Sequence, residues 1–485
     1  MVSKSYSITS KAKPECGVFC NKFRFFILLL GTFCMSAIFS NMITLNFTII
    51  CMGSQAKKLN FDIENITQSE TTLHDYTQYE KTVLQWSVSI AAMIATFPFS
   101  YVCTHYGAKY VFFATGMMST LSTAFVPAAS NLGFRWFVLA RIFQGFAYAS
   151  DFAVIGVICT RWASLKENAK FLSVLTCFSP LASMFTNSIS GVICDSELLG
   201  WPWVYYFHAM VSFVLFMAWM YFYTDDVQDN AFISQKELEI IFRDKSDAHK
   251  YREAFVPYKE VIKSKVVWTV WLNAYADIFS GYFLIIYAPT YLKHVLKYSK
   301  TETGFFGAII AAVHIPIKLF AGYMSDSFNC FPERYKMWIF NSIALLSPAA
   351  IYIYVTFAPA DIPSITVLMF GLVHATLGFN CGGFYKCGAL VSRQYAEVVI
   401  AFTQFIKCAV FFIAPALVAL FVEHEANASQ WYTIFYIIAG SLIFANAVFC
   451  VYATNKPRSF TNITMADKKQ RKKKIMQCDV ANADV

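Results

Sequence analysis

Charged residues are scarce along this chain of 485 residues: Asp, Glu, Lys and Arg make up 14% of it, against about 25% in ordinary globular domains. Hydrophobic residues make up 57%, and 49 of the residues are Phe. A soluble protein of this composition could not cover its surface with polar groups. The composition therefore excludes a soluble globular domain and predicts a polytopic membrane protein.

Several chemical signatures are also missing from the sequence. It contains no nucleotide-binding motif, so transport driven by ATP hydrolysis is disfavoured. The 14 cysteines show no paired metal-ligand spacing, and no nucleophile and base form a recognisable constellation. We therefore predict no enzyme activity, no metal and no cofactor. The formal charge of +9 is the charge that cytosolic membrane loops collect, so we predict no nucleic-acid partner.

Long apolar runs dominate the chain instead. Each is close to the ~20 residues that a helix needs to cross a bilayer. The runs cover residues 23–50, 83–103, 109–130, 134–158, 170–194, 203–223, 266–292, 303–325, 336–357, 362–391, 397–422 and 430–453. The N-terminal 22 residues are polar, and we therefore expect no cleavable signal peptide.

A charged stretch, residues 224–265, separates the first six runs from the last six. Its SQKELEIIFR segment predicts a short amphipathic helix with Ser234 as N-cap and Glu237 three residues later. Six spans on each side of a central loop is the layout of major facilitator transporters, whose halves are repeats around a midplane site. The sequence thus predicts an all-α fold with two six-helix halves, residues 23–223 and 266–453.

Basic residues predict the orientation of the chain. When residues at the edge of a span are counted with the adjoining loop, 28 of the 39 Lys and Arg lie on one side and 7 on the other. The positive-inside rule places the richer side in the cytosol. The N-tail (1–22) and the basic C-tail (454–485) are then both cytosolic, and the run 468–474 is expected to lie near anionic membrane lipid.

The predicted outer loops hold two further features. Asn65 and Asn427 begin Asn-X-Ser/Thr sequons there, so both are predicted glycosylation sites. Only Cys51 and Cys194 lie near the outer ends of spans, which makes them the candidate pair for a disulfide bond.

One apolar run, 134–158, carries polar side chains in its interior. Arg141, Gln144, Tyr148 and Asp151 interrupt it, and at 100° per residue Tyr148 returns almost to the face of Arg141. An ionised group in hydrocarbon is costly unless it faces a bundle interior or a water-filled cavity. We predict that Arg141, with Gln144 and Tyr148, binds the substrate; a structural ion pair remains the alternative.

The second half adds its own ionisable side chains within spans. We predict that Lys407 and Lys386 contact the substrate, although Lys386 could equally serve a gate or an interface near the inner end. The predicted coupling-ion residues are Asp277, Asp151 and His314. Lys407 and Asp277 both lie near the midplane, and they could instead neutralise each other.

A gate is predicted where the eighth span ends. Gly322 and Asp326 are spaced as Gly-x-x-x-Asp there, and Lys318 lies one turn earlier. Lys318 could reach the membrane surface with its ammonium group, so gating is as consistent with its position as substrate contact.

Several motifs resemble the anion:cation symporter family, which includes sialin, the vesicular glutamate transporters and the type I sodium-phosphate cotransporters. The strongest similarity is ARIFQGFAYASDFAVIGVICTRWA in the fourth span. Others are GWPWVYYF (200–207), Ile233-Ser-x-x-Glu237-Leu, Pro289-x-Tyr291, Gly322-x-x-x-Asp326, Arg393-x-Tyr395-Ala396 and Gln430-Trp431. Their order and spacing cover nearly the whole chain.

The resemblance also implies differences. Family members commonly carry Arg, His, Glu and Arg at the positions that are here Met42, Gln85, Tyr148 and Asp277; of the family's membrane charges only Arg141 is retained. The short loop after the second span keeps Gly107 and Lys109 but has Ser100 and Thr104 where Gly and Asp are usual. The fold is expected to survive these changes, whereas the family's proton-coupling scheme and glutamate specificity do not transfer.

The charges suggest a mechanism. Four basic groups (Arg141, Lys318, Lys386 and Lys407) outnumber the two acids within the spans, and an anion would offset the cost of burying them. We predict a symporter for small organic anions or phosphate, driven by H⁺ or Na⁺, in a plasma or endolysosomal/vesicular membrane. A non-transporting sensor or scaffold of the same fold, or a transporter of cations or zwitterions, remain alternatives.

Overall fold

The computed structural model describes residues 21–63, 76–164, 168–196, 198–243, 257–327, 331–359, 362–392 and 395–462. Within these residues, twelve helices are long and apolar enough to cross a membrane. They confirm the all-α prediction, and each predicted boundary lies within five residues of the observed one.

We number the membrane helices in chain order. The first half contains α1 (Phe23–Met52), α2 (Gln78–Cys103), α3 (Lys109–Leu132), α4 (Phe134–Cys159), α5 (Ser173–Asp195) and α6 (Gly200–Phe222). The second half contains α7 (Lys265–His294), α8 (Lys300–Ser325), α9 (Glu333–Val355), α10 (Pro363–Ser392), α11 (Phe402–Phe421) and α12 (Ala428–Tyr452).

An even number of crossings brings the beginning of α1 and the end of α12 to the same end of the molecule. We call it the terminal end, and the other the opposite end. The terminal end also holds the connection between α6 and α7. The basic-residue count predicts that it is cytosolic; that orientation stays a prediction.

Four of the membrane helices are interrupted along their length. Helix α4 is interrupted between Tyr148 and Asp151, and α5 is interrupted between Thr176 and Phe178. Helix α8 is broken before His314, and α10 passes through a 3₁₀ turn, Gly378–Gly382. An interrupted helix frees backbone groups, which membrane proteins tolerate only where other protein groups or a cavity satisfy them. The breaks therefore point to an interior cavity.

The predicted central-loop helix is present, and its Glu237 side chain binds the start of α1. The helix is Gln235–Phe242, and the side chain of Ser234 caps it by accepting the Glu237 N–H. The buried carboxylate of Glu237 accepts the backbone N–H groups of Phe23 (3.1 Å) and Arg24 (2.9 Å), and it pairs with the Arg24 guanidinium at 3.2 Å. A negative charge at the N-terminus of a long helix is favourable for the helix dipole as well.

Replacing Glu237 with Ala should lower the stability of the protein by about 3–5 kcal/mol, the range found when one partner of a buried ion pair is removed. The loss arises because two N–H groups of α1 lose their acceptor and the buried Arg24 guanidinium loses the carboxylate that pairs with it. Thermal unfolding in detergent measures it, and Glu239→Ala, at an exposed position of the same short helix, is the matched control. Equal melting temperatures for the two variants would contradict a clamp at Glu237.

The backbone of the short α2–α3 loop requires glycine at position 107. Gly107 adopts a φ of +91°, and a Cβ there would lie 2.3 Å from a carboxylate oxygen of Asp225. That carboxylate accepts the N–H groups of Ala108 (2.7 Å) and Lys109 (3.3 Å) at the beginning of α3. The retained Gly107 therefore lets the start of α3 dock on Asp225.

At the opposite end, Cys51 and Cys194 form a disulfide bond that joins the end of α1 to the end of α5. Disulfides persist in oxidising compartments, so this bond agrees with the predicted outer position of that end. Asn427 is exposed at the same end, where its side chain accepts the Ser429 N–H and caps α12. Its glycosylation stays a prediction. Asn65, Arg393, the N-tail up to residue 20 and the run 468–474 lie outside the described residues.

Candidate functional site

A cavity of about 640 Å³, counting the part that is open to solvent, lies between α5 of the first half and helices α7, α8, α10 and α11 of the second. All its ionisable lining groups come from the second half: Asp277, Tyr282, His314, Lys318, His374, Tyr385 and Lys407. The first half contributes an apolar and hydroxyl wall, which includes Phe178 and Ser179.

The helix breaks build this cavity. Phe178 follows the break in α5, His314 begins the second part of α8, and Asn380 lies in the 3₁₀ turn of α10. Discontinuous helices around a midplane site are the usual way in which secondary transporters line their binding cavities. The geometry explains why polar residues are tolerated here.

Asp277 lies on α7 at the cavity wall and is only 6% exposed. Its Oδ2 accepts a hydrogen bond from Asn380 Nδ2 at 3.0 Å. Its Oδ1 is buried and accepts none from the described residues. The charge of Lys318, on α8, acts on this carboxylate. Asp277 thus has one carboxylate oxygen without a hydrogen-bond donor among the described residues, and it lines the cavity together with Lys318. A carboxylate in this setting can bind a proton or a small cation.

Lys407 lies on α11 and is 3% exposed. Its ammonium is surrounded by four aromatic rings: the distance from Nζ to the ring centroid is 4.7 Å for Phe178, 4.9 Å for Tyr282, 5.5 Å for Tyr148 and 5.8 Å for Phe39. Each ring lies within the range of a cation–π interaction. The predicted substrate residues Lys407 and Tyr148 are thus brought together.

Asp151 lies at the start of the second part of α4 and is completely buried. Neither of its carboxylate oxygens accepts a hydrogen bond from the described residues. The charged group that acts on it is the Lys407 ammonium, and Asp151 is the acid that acts most strongly on Lys407. Lys407 and Asp277 line one cavity, but the acid whose charge acts on Lys407 is Asp151.

The predicted coupling residue His314 also lines the cavity. Its Nδ1 is 2.8 Å from the backbone oxygen of His374, and the two imidazole rings pack edge to face with centroids 6.2 Å apart. The Nε2 of His374 is buried and has no hydrogen-bond partner among the described residues.

Arg141 and Gln144 lie outside this cavity. Arg141 is 2% exposed and donates to the carbonyl oxygens of Met42 (2.8 Å) and Leu84 (3.2 Å) and to Gln144 Oε1 (2.6 Å). The buried amide of Gln144 in turn donates to Thr123 Oγ1 at 2.8 Å. The predicted polar face of α4 is therefore buried, and its donors link α1, α2, α3 and α4.

Arg141 instead lines a smaller pocket of about 220 Å³ between α1, α2, α4 and α11, which we call the Arg141 chamber. The other residues that line it include Met42, Asn46, Gln85, Ser89 and Phe411. Met42 and Gln85 occupy positions at which members of the anion:cation symporter family commonly carry Arg and His. Both line the same pocket as Arg141, the one family charge that this chain retains.

The remaining predicted site residues lie closer to the terminal end. Lys386 pairs with Glu333 at 3.1 Å and donates to the Ser325 carbonyl oxygen at 3.1 Å, so it joins α8, α9 and α10. Gly322 packs near Cys381 of α10. Lys318 lines the cavity, and the side chain of Asp326 is not among those described.

Some cavity residues were not predicted from the sequence. Asn380, Phe178 and Tyr282 are examples, and the rings have no polar signature that would single them out among 49 Phe and 27 Tyr. Asn380 had a usable signal, because the surrounding GFNCGG is the richest glycine cluster in an otherwise helical run. Such a cluster predicts a helix break.

The two halves touch closely at the opposite end. Lys81 at the start of α2 pairs with Glu425 between α11 and α12 at 2.8 Å, and Thr301 of α8 donates to Asp195 of α5 at 2.7 Å. A Cβ on Gly304 would lie 2.5 Å from the backbone oxygen of Asn187, so α5 and α8 cross with almost no space between them. The structure is closed between the halves at this end.

Residues 25–415 match the family model of the Major Facilitator Superfamily. The chain belongs to this superfamily. Its members are membrane transporters, so the chain is a multi-pass membrane transport protein and not an enzyme, as the sequence predicted.

The relatives agree with the resemblance to the anion:cation symporters. The chain is 25% identical to sodium-dependent phosphate transport protein 1 of Mus musculus, over 87% of this chain and 91% of the relative. It is 23% identical to sialin of Homo sapiens, over 76% and 74%. It is 22% identical to a probable small intestine urate exporter of Mus musculus, over 78% and 76%.

Solved structures confirm the fold. A bacterial homologue of the human lysosomal transporter Spinster, inward-facing and unoccupied, superposes with a TM-score of 0.64 at 14% identity, over 89% of this chain and 97% of that one. A D-xylose-proton symporter gives 0.62 at 13% identity, over 89% and 98%. At these identities the likeness concerns the fold alone.

Proposed function

We propose that this protein is a secondary active symporter that moves small organic anions or phosphate together with a coupling cation, H⁺ or Na⁺. The observation that carries this proposal is that Asp277, Lys318 and Lys407 line one cavity. The lysines supply positive charge for an anion, and the acid supplies a site for the cation.

The coupling follows from charge balance in a poorly solvated space. Asp277 and Lys318 line the same cavity, and the positive charge of Lys318 acts favourably on the Asp277 carboxylate. An anion that binds Lys318 alone leaves Asp277 uncompensated, and a cation that binds Asp277 alone leaves the lysine uncompensated. A buried charge without a partner is expensive, so the two ligands are expected to bind together more strongly than either alone. This reciprocal coupling is what symport requires.

The substrate class follows from the donors. A lysine ammonium is a compact point charge that binds phosphate or carboxylate without requiring one fixed geometry. The apolar lining on the other side, which includes Phe178, Ile278 and Ile285, suits an organic body. The names of two relatives, which mention phosphate and urate, support an anionic substrate.

Uptake by proteoliposomes tests this function. Phosphate, urate, a monocarboxylate and a dicarboxylate are each offered under a pH gradient or a Na⁺ gradient, imposed separately. We expect one gradient to drive accumulation of at least one anion above its external concentration. Binding without accumulation would instead indicate a sensor. Accumulation of organic cations or zwitterions alone would contradict the anionic assignment.

A further inference from the structure

Asp277 and Asn380 form a buried pair in the lining of the cavity. The carboxyl group is carried by α7 and the amide by the 3₁₀ turn of α10, and the two residues are 6% and 4% exposed. Asn380 Nδ2 donates to Asp277 Oδ2 at 3.0 Å. The other oxygen of each group, Oδ1, is buried and has no hydrogen-bond partner among the described residues. Each member of the pair thus has one acceptor without a donor.

The position of the Asn380 amide is set by close packing of its turn. A Cβ on Gly378 would lie 3.0 Å from the backbone nitrogen of Lys318 on α8, and a Cβ on Gly383 would lie 2.9 Å from the Cα of Asn341 on α9. Glycine at these two positions lets the turn approach both helices. Asn380 lies between the two glycines, so the backbone that carries it has little room to shift.

One proton would satisfy both open oxygens. A protonated carboxyl group has an O–H donor, and the oxygen of an amide is an acceptor. Since the N–H of Asn380 already binds Oδ2 of Asp277, the two Oδ1 atoms are the second pair of atoms through which these groups can bond. They can do so only when Asp277 carries a proton on Oδ1. Without that proton, two buried acceptors remain unpaired, which is unfavourable.

A metal cation suits this pair less well than a proton does. Hard cations that prefer oxygen ligands usually bind about six of them, whereas the pair offers two open oxygens. Asp277 is also the one carboxylate among the described residues that line the cavity. The other ionisable groups that line it on α7, α8, α10 and α11 are phenols, imidazoles and ammonium groups: Tyr282, His314, Lys318, His374, Tyr385 and Lys407.

We propose that Asp277 and Asn380 together bind the coupling ion as a carboxyl–amide pair, and that this ion is a proton. The inference rests on the symport proposed above and names its coupling ion. On binding, the carboxylate takes a proton from water and forms the Oδ1–H bond; on release that bond breaks and the proton returns to water on the other side of the membrane. Asn380 is a positioning residue. Its N–H donates to Oδ2 in both states, and its oxygen accepts a hydrogen bond in the protonated state alone.

Infrared spectroscopy detects this proton without any transport. The full-length protein in nanodiscs, free of substrate and in potassium buffer, is titrated with pH while the C=O stretching band of protonated carboxyl groups is recorded. The difference between the parent and Asp277→Asn isolates the band of Asp277 from those of other acids, which include the buried Asp151. Each variant is then measured again with sodium in place of potassium.

We expect a band that is lost in Asp277→Asn and that disappears reversibly as the pH rises. Asn380→Leu should move the band to higher frequency, because the carboxyl group loses both its donor and its acceptor. Asn380→Asp keeps the shape of the side chain, and its band should persist to a pH at least about one unit higher, because two neighbouring carboxyl groups share a proton. Asn46→Leu, which removes a buried amide from the first half, is the matched control and should leave the band in place.

Three results would overturn the pair. A parent protein in which Asp277→Asn removes no titrating band would show that Asp277 binds no proton. Loss of the band when sodium replaces potassium would assign the site to Na⁺. An unchanged frequency in Asn380→Leu, with an unchanged titration in Asn380→Asp, would show that Asn380 does not hold the proton. The expected spectra together with no uptake of any anion would reject the proposed symport and leave the proton-binding pair intact.

Discussion

Replacing Asp277 with Asn should abolish gradient-driven accumulation of the transported anion while leaving exchange of that anion across the membrane nearly unchanged. Asn retains the shape of the side chain and can still form a hydrogen bond with Asn380, which is 3.0 Å away in the parent protein. It loses the charge that is proposed to bind the coupling cation. Anion binding then no longer depends on that cation, and the gradient has no means of performing work.

The expected size of this effect follows from the coupling. Coupling free energies between two ligands usually correspond to affinity changes of about 5–150-fold, so the coupling cation should lose an effect of about that size on anion affinity, and accumulation should fall to simple equilibration. Anion affinity should rise or remain the same, because Lys318 is no longer compensated by a carboxylate. Folding should not suffer, since neutralising a buried acid removes its desolvation cost.

Two uptake assays on the same proteoliposomes distinguish coupling from binding. One measures accumulation under the active gradient, and the other measures exchange of labelled for unlabelled anion at equilibrium. Asp229→Asn, at an exposed position of the central loop, is the matched control. Normal accumulation by the Asp277→Asn protein would exclude this residue from coupling. Loss of both activities together with a lower melting temperature would assign Asp277 a structural role.

The twelve helices could be predicted from the sequence because lipid leaves the backbone few alternatives. A bilayer crossing requires a long apolar segment with internal hydrogen bonds, and such segments are visible without knowledge of their neighbours. The capped helix at Ser234 was equally local, since N-cap and N3 residues lie three positions apart. What it binds was not local: Glu237 reaches α1 across more than 200 residues of chain.

The sequence predicted which kinds of residue form the site, but it predicted only part of their arrangement in space. Periodicity placed Arg141, Gln144 and Tyr148 on one buried face of α4, and all three are buried. It could not show that these residues contact different spaces: Arg141 lines the Arg141 chamber, whereas the Tyr148 ring centroid lies 5.5 Å from the Lys407 ammonium. The similar depth of Asp277 and Lys407 in the membrane suggested that the two neutralise each other. The partner depends instead on the direction in which each helix presents its side chains. The acid whose charge acts most strongly on Lys407 is Asp151.

Arg141→Lys should reduce maximal uptake about tenfold or more, although it preserves the positive charge. The guanidinium donates in two directions at once, from Nε to the Leu84 carbonyl and from Nη1 to Met42 and Gln144. A single ammonium cannot occupy both positions, and each buried acceptor left without a donor costs about 1–3 kcal/mol. Because these acceptors lie on α1, α2 and α4, the cost is expected in the stability of the first half.

The same variant decides whether Arg141 also contacts the substrate. With an organising role, Arg141→Lys and Arg141→Gln should both lower the melting temperature, while KM for the anion stays within about threefold, since the cavity lysines are intact. With the predicted anchoring role, KM should instead rise by the about 1–3 kcal/mol of a charge-assisted hydrogen bond, a factor of ten or more, at an unchanged melting temperature. If Lys restores most of the uptake that Gln removes, neither role is correct and Arg141 serves only to balance charge.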